Sequence, residues 1–410
     1  MNNNWNPTYN FVIKIKRDYE NTFKNIDVYN LEHWIEKLNR NEYNNFAQSV
    51  GFTHYNDMVL IKYSMINVDR DMWANSNSIY RECRSVVIDL KNEELILVPF
   101  RKFFNLDEVE ETALIKVVEK IKNAKIVEIS NKLDGSMQSA RFYRDQFIMS
   151  GSSALDPENS FRLTEGLSWL TDSHKKMLID FPEVTFIFEY ISMRDAHVVK
   201  YELKEEGLHL IGARRVDNGN MYTYKEIQEI ADRYGVLVVK LEEQSLEEVL
   251  EKAAQYKSSD KEGWVIRVDD MLIKLKCDDY VNVHRILSKV SSINLVIQNI
   301  ANGTYDDLIS KVPELYRDRV KVAADAIYDY VKRTEDQICG YYRKAPKKEL
   351  KGFMIWVDNQ VPKHLKGYVR SKYLNKEYNL LKGNNDKSPH YKKASELGLN
   401  VSYSAIFGDE

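Results

Sequence analysis

The stretch Lys132-Leu133-Asp134-Gly135-Ser136 sets a lysine three residues before a glycine, straight after the strand-like run Ile126–Ser130. A lysine amine is a poor nucleophile at its ordinary pKa of about 10.4. Burial, neighbouring cations or a metal ion release the neutral amine, and the glycine lets backbone approach a ligand closely. Alone, such a stretch describes a surface turn as well as a site. It has company further along the chain. Phe188-Glu189-Tyr190 ends an apolar run with a carboxylate, and Glu262-Gly263-Trp264-Val265 opens another with a second. Lys274-Leu275-Lys276 sets two lysines at period two, hence on one face of a strand.

These residues need strand ends to hold them, and the pattern supplies strands. Ser139–Tyr143 and Phe147–Ser150 read as a hairpin across Arg144-Asp145-Gln146, and Val184–Tyr190 and Leu208–Ala213 as further strands. Trp264–Val268 and Met271–Lys276 read as a hairpin across Asp269-Asp270. Two helices are marked by capping boxes, Thr223 with Glu226 and Ser245 with Glu248, each followed by apolar residues at helical spacing. After about residue 283 strand signals fade and a long helical pattern follows Pro313, from Glu314 to Ile338. The expectation is an α+β body over 1–283, of antiparallel sheets flanked by helices, followed by a mostly α-helical domain over 284–410.

The ordered set of Lys132, Asp134 and Gly135, then Glu189, then Glu262 with Gly263, then Lys274 and Lys276, resembles motifs I, III, IV and V of the covalent nucleotidyltransferases. That superfamily comprises DNA ligases, RNA ligases and mRNA capping enzymes. Arg81-Glu82-Cys83-Arg84-Ser85, the run from Pro99 to Asn105, and Lys276 followed by Tyr280 resemble bacteriophage RNA ligase 1 in particular. The resemblance implies an ATP-grasp-like adenylyltransferase domain joined to a helical tRNA-binding domain. It implies an ATP-dependent RNA ligase that joins 3′-OH and 5′-phosphate ends, as in repair of cleaved tRNA. Lys132 would carry AMP, Lys274 and Lys276 would neutralise phosphates and lower the pKa of Lys132, and Asp134, Glu189 and Glu262 would hold Mg²⁺ or Mn²⁺. Arg84, Lys102, Phe104, Gly135 and Glu189 would join Lys274 and Lys276 around the nucleotide. Phe104 and Tyr280 could equally be core residues. A kinase–phosphatase partner is implied as well, to prepare the RNA termini; the chain has no GxxxxGK[ST] loop of its own.

Three departures from the family pattern stand out. Ser85 sits where glycine is common. Met149 to Ser153 offers no basic residue where one is expected, leaving Arg141 or Arg162 to replace it. Ser192 to His197 lacks the expected Pro- and Arg-containing pattern, and His197 reads as a packing or surface residue.

Composition agrees with a folded chain: 43% hydrophobic, 30% charged, net charge −3. Disordered, collagen-like and membrane-embedded classes are excluded. Only Cys83, Cys277 and Cys339 are present, without CxxC spacing, which argues against a disulfide framework or structural zinc. The polar N-terminus does not read as a secretory signal, and no apolar run approaches the length of a membrane span. A monomeric, reduced, cytoplasmic protein is expected, in host cytoplasm if phage-encoded. The charge is unevenly placed: residues 281–410 carry 22 Lys and Arg against 15 Asp and Glu, and the remainder is acidic. Between Lys332 and Lys393, Tyr341, Tyr342, Phe353, Trp356, Tyr368, Tyr373, Tyr378 and Tyr391 alternate with cations, a mixture that suits RNA or an ordinary helical core. DNA ligases and capping enzymes usually append an OB fold, which the helical tail disfavours. An RNA-binding protein with an inactive nucleotidyltransferase domain is the reading from another class.

Overall fold

The computed structural model describes residues 5–64, 71–74, 78–195, 197–281, 293–310, 312, 314–383 and 391–399. The chain divides into two compact units, Met1–Val281 and Asn282–Glu410. Among the described residues the first unit holds three four-stranded sheets. No described helix is long and apolar enough to cross a membrane.

The first sheet is a meander of β1 (Val50–Tyr55), β2 (Met58–Tyr63), β3 (Arg84–Asp89) and β4 (Glu94–Leu97). Helices Pro7–Phe23, Leu31–Leu38 and Asn41–Ser49 precede it. They bury Val12, Ile15, Trp34 and Phe46 against Val59, Ile61, Val86 and Ile88 of the sheet. One irregularity matters for the site. The pairing of β2 with β3 shifts between Ile61 and Lys62, so Ile61 faces Val86 while Lys62 faces Arg84. Ser85 is the extra residue, with φ at +67°. A β-bulge with its first residues in the left-handed region re-aims a neighbouring side chain, here Arg84. Glycine would be the easy occupant. Ser85 holds the conformation by donating its hydroxyl to the Ser152 carbonyl at 2.6 Å.

The remaining strands are β5 (Phe104–Asn105), β6 (Val127–Lys132), β7 (Ser136–Tyr143), β8 (Gln146–Ser150), β9 (Val184–Ile191), β10 (Gly207–Arg215), β11 (Gly263–Val268) and β12 (Met271–Lys276). They form one sheet in the order β5-β12-β11-β6 and another in the order β10-β9-β7-β8. Pairing is antiparallel except between β12 and β5. The turn joining β7 and β8 is shorter than the sequence suggests. Arg144 and Asp145 both take positive φ, +48° and +62°, as a two-residue hairpin turn requires. Every residue of β9 is buried, because helices and sheet cover both its faces. Phe100, Phe103 and Ile187 form a small apolar layer with Met137, Ile211, Val265 and Leu272. Both expected capping boxes are present, at Thr223 and Ser245.

The second unit is helical, with segments Ile293–Asn302, Tyr305–Ser310, Glu314–Lys344, Leu350–Gln360 and Lys366–Tyr373. Its core centres on Ile338, Phe353, Val357, Tyr368 and Val369. Tyr341, Tyr342, Trp356, Tyr373 and Tyr378 pack against that core. Phe353 stacks on Tyr373 with ring centroids 4.0 Å apart. The aromatics interleaved with the basic residues are therefore mostly the core, and do not form an exposed stacking platform for bases.

Candidate active site

Strand register assembles the site. Lys132, the last residue of β6, faces Gly263, the first of β11, and Gly263 faces Lys276, the last of β12. Three strand ends thus form one row across the sheet. Gly263 has φ +154°, and a Cβ there would overlap the Leu275 carbonyl oxygen of the next strand. Glycine lets the three strands close up at this point. Glu262, one residue before, reaches both lysines: Oε2 accepts from Lys132 Nζ at 2.6 Å, and Oε1 pairs with Lys276 Nζ at 3.0 Å. Two residues along, Ser130, Val265 and Lys274 make the next row on the same face.

The neighbouring sheet contributes Glu189, and the loop between β6 and β7 contributes Asp134. Glu189 accepts the Gly135 N–H at 3.1 Å. Gly135 is obligatory on packing grounds, since a Cβ would press into the Tyr190 carbonyl and the Glu189 side chain. Burial pushes Glu189 up to about 7; Lys132 opposes that, while Glu262 and Asp134 reinforce it. Asp134 has both oxygens engaged. Oδ2 accepts from the backbone N–H of Val198 at 2.7 Å and Val199 at 2.9 Å, and Oδ1 accepts the Tyr280 hydroxyl at 2.9 Å. Tyr201, unnoticed in the sequence, accepts the Asp134 N–H through its hydroxyl at 2.7 Å.

The protonation pattern differs from the sequence expectation. Burial works to release the Lys132 amine, but the negative charges of Glu262 and Glu189, the bond to Glu262 and the charge of Asp134 outweigh it, and its pKa is raised. Lys274 is the depressed lysine. Burial first, then the positive charges of Arg84, Lys102, Lys132 and Lys276, bring it down to about 6. Lys274 and Lys276 therefore do not leave Lys132 neutral in the free protein: Glu262 lies nearer and is negative.

A cavity of about 380 Å³ opens beside these residues. Lys132, Lys274, Lys276, Glu189, Gly135 and Arg84 line its polar part, and Phe100, Phe103, Ile211, Val239 and Leu272 its apolar part. Arg84 lies over the Phe103 ring, 4.7 Å from the centroid, and Lys274 Nζ sits 4.6 Å from the same centroid. An apolar lining beside Arg84, Lys132, Lys276 and the depressed Lys274 suits the two ends of a nucleotide, base and phosphates.

Residues 82–281 match the family described as RNA ligase. This stretch, just under half of the chain, is similar to the RNA ligase family. An Autographa californica nuclear polyhedrosis virus protein, whose name couples a polynucleotide kinase to an RNA ligase, is 24% identical over 278 residues, covering 63% of this chain and 38% of that protein. Among solved structures, the Naegleria gruberi RNA ligase with PPi is 17% identical at a TM-score of 0.33, covering 41% of this chain and 55% of that one. A mutant of the same ligase with AMP and Mn is 18% identical at 0.36, covering 44% and 58%. The chain thus spans well under two thirds of these relatives.

Within the ligase-family stretch, several expected site residues lie elsewhere. Phe104 is fully buried and does not line the cavity; it packs edge-on to Trp73 and under Arg81. Strand alternation explains the exchange, since Phe103 one residue earlier takes the cavity side. Lys102 is held among the Tyr63, Trp73 and Phe104 rings, 5.0 to 5.7 Å from their centroids, outside the cavity lining. Arg141 is buried on the carbonyls of Pro182, Leu95 and Ile96, and so supplies no phosphate contact. Arg162 pairs in bidentate fashion with Asp195 at 2.7 Å, and Asp195 also accepts from Ser136. His197 packs edge-on to Tyr201. In the Arg81–Ser85 run, Arg81 binds Glu111 and Glu82 binds Arg214, leaving Arg84 as the member that reaches the cavity. Among the described residues no three His, Cys, Asp or Glu side chains are grouped to hold a metal ion. Asp134, tied to two backbone amides and Tyr280, is better read as a bracket for the loop than as a ligand. Glu189 and Glu262 remain as hard oxygen donors. They fit an ion that takes one or two carboxylates and completes its shell with water and substrate phosphates.

Proposed function

We propose that this protein is an ATP-dependent RNA ligase that works through a covalent lysyl–AMP on Lys132. The observation that carries the reading is the clamp on Lys132: a buried carboxylate shared between the candidate nucleophile and Lys276, beside a nucleotide-sized cavity rich in cations.

In the first step the Lys132 ammonium gives one proton to water, and its neutral Nζ attacks the α-phosphorus of ATP. An N–P bond forms, the bond to the bridging oxygen breaks, and pyrophosphate leaves. Lys274, neutral in the free protein, regains its charge when the phosphates enter and neutralises them together with Lys276 and Arg84. Glu262 holds the ammonium of Lys132 in place beforehand, and Glu189 stands ready beside it. A divalent cation held by Glu189 and Glu262 would screen the phosphate oxygens and draw Glu262 away from Lys132. In the second step an oxygen of an RNA 5′-phosphate attacks the same phosphorus, the N–P bond breaks and Lys132 is freed. In the third a 3′-OH attacks the RNA phosphate, AMP leaves and the strand is sealed. Positioning and charge neutralisation dominate all three. Cleaved tRNA is the substrate we favour, supported by the sequence resemblance and the basic helical unit. A kinase–phosphatase acting before it would supply the termini, and the viral relative's name joins such a kinase to a ligase.

The test is incubation with α-labelled ATP and Mg²⁺ or Mn²⁺, then denaturation and peptide mapping. Label on Lys132 is expected, with none in Lys132→Ala. Glu262→Gln should label at least about a hundredfold more slowly, on the scale of losing a positioned electrostatic group. Label on another residue, or none from protein first stripped of AMP, defeats the reading.

A further inference from the structure

The shift in pairing at Ser85 brings Lys62 of β2 directly opposite Arg84 of β3. Directly opposed like charges on a sheet are destabilising. Arg84 lines the cavity beside Lys132. Lys62 reaches towards the same rim, donating to the Ser152 hydroxyl at 3.5 Å, and Ser152 itself lines the cavity. The loop carrying Ser152 is fastened there twice, by Ser85 Oγ to the Ser152 carbonyl and by Thr53 Oγ1 to the Ser153 carbonyl at 2.9 Å. A second hollow, of about 290 Å³, is lined by Phe52, Thr53, Lys62, Tyr63, Ser64 and Ser153, so the Ser152–Ser153 loop borders both hollows. Two cations opposed in register, an exposed hydroxyl and a second hollow therefore lie around the Ser152–Ser153 loop.

We propose that Lys62, with Arg84 and Ser152, binds the terminal 5′-phosphate of the RNA strand, the rest of which runs out along the second hollow over β1 and β2. The inference rests on the RNA-ligase reading for its choice of polyanion. A phosphomonoester carries close to two negative charges at neutral pH, which balances the opposed pair; an internal phosphodiester carries one. The stretch from Met149 to Ser153 carries no cation of its own, so positive charge beside it comes from Lys62 and Arg84 of the N-terminal sheet. Lys62 acts as a specificity residue for the end of the strand.

The test is equilibrium binding of one RNA oligomer with either a 5′-phosphate or a 5′-hydroxyl, to the full chain without nucleotide, at several salt concentrations. Wild-type protein should prefer the phosphorylated end at least about tenfold. Lys62→Ala should bring the preference close to one and lower the salt slope for the phosphorylated oligomer by roughly 0.7, the share of one contact on a single strand. Lys62→Arg should keep both, which guards against a folding defect in Lys62→Ala. An unchanged preference in Lys62→Ala, an equal loss for both oligomers, or no preference in wild-type protein overturns the assignment. Absence of label from ATP would sink the ligase reading while leaving this comparison intact.

Discussion

At the scale of single residues, the site keeps its charge in the wrong place for attack until ligands arrive. Lys132 is held as an ammonium by Glu262, while Lys274, deeper among cations, is held near neutral. The second feature gives a pH dependence of definite sign. With its pKa near 6 in the free protein, Lys274 is mostly uncharged at pH 8, and a polyphosphate beside it raises that pKa. Binding a nucleotide without metal at pH 8 should therefore take up close to one proton, and affinity should fall as pH rises above 6. Calorimetry in buffers of different ionisation enthalpy measures the uptake directly. Lys274→Met should lose it, which also separates Lys274 from Glu189, whose carboxyl titrates near 7. The same depression affects stability. The folded state binds fewer protons than the unfolded chain between about pH 6 and the ordinary lysine range, so stability rises with pH there. Lys274→Met should melt higher than wild type at pH 7, with the gap closing as pH rises. None of this was visible in the sequence. The lysine pair could be placed on one face by its spacing, but the charge state of Lys132 depends on its contact with Glu262, 130 positions apart, and that of Lys274 on burial among distant cations.

At the scale of elements, much of the catalytic framework was legible. The strand that carries Glu189, the strand that ends at Lys276 and the helices opened by Thr223 and Ser245 follow from apolar runs and capping boxes. Parity was not legible at Phe103 and Phe104, because a two-residue strand paired to β12 shows no alternation of its own. Nor was the Arg144-Asp145 turn, which adopts two positive φ values without glycine or asparagine. Ser85 was noticed as a departure from glycine, and the bulge supplies the reason. That reason orders a mutant series. Ser85→Gly removes the left-handed penalty of about 1–2 kcal/mol together with a hydrogen bond of similar worth, and should stay within about 1 kcal/mol of wild type. Ser85→Ala keeps the penalty and loses the bond, costing about 1 kcal/mol. Ser85→Val adds a β-branched side chain at φ +67° and should be worst. Urea melts of the three check the order. An alanine variant as stable as the glycine one would mean that the left-handed conformation does not govern this position.

At the scale of the whole molecule, the sequence pattern and charge change near residue 283, and the long helix Glu314–Lys344 contains the Glu314–Ile338 run that the spacing suggested. Its aromatics could be read either as core or as a surface for bases, because composition does not say which way a ring points. Phe353 and Tyr368 are buried in the core, and Tyr341, Tyr342, Trp356, Tyr373 and Tyr378 pack against it half-buried, so the exposed cations are the first groups to test for an RNA contact. Arg343, Lys344, Lys347 and Lys348 are exposed and close together in sequence, at the end of the long helix and just beyond it. Replacing these four by alanine should leave the melting temperature nearly unchanged. It should weaken RNA binding and flatten the salt dependence by up to about 3 in slope, at roughly 0.7 to 0.9 per phosphate contact. Phe353→Ala should behave oppositely. It removes a fully buried ring stacked on Tyr373, so the unit should lose about 3–5 kcal/mol, while the salt slope of whatever protein remains folded should not move. If the alanine quadruple binds RNA with an unaltered slope, these cations only keep the helical unit soluble. An RNA contact would then have to lie on other cations of that unit or within residues 82–281. If Phe353→Ala instead remains folded and loses RNA selectively, the ring does contact bases, and the division of labour between core aromatics and surface cations is wrong.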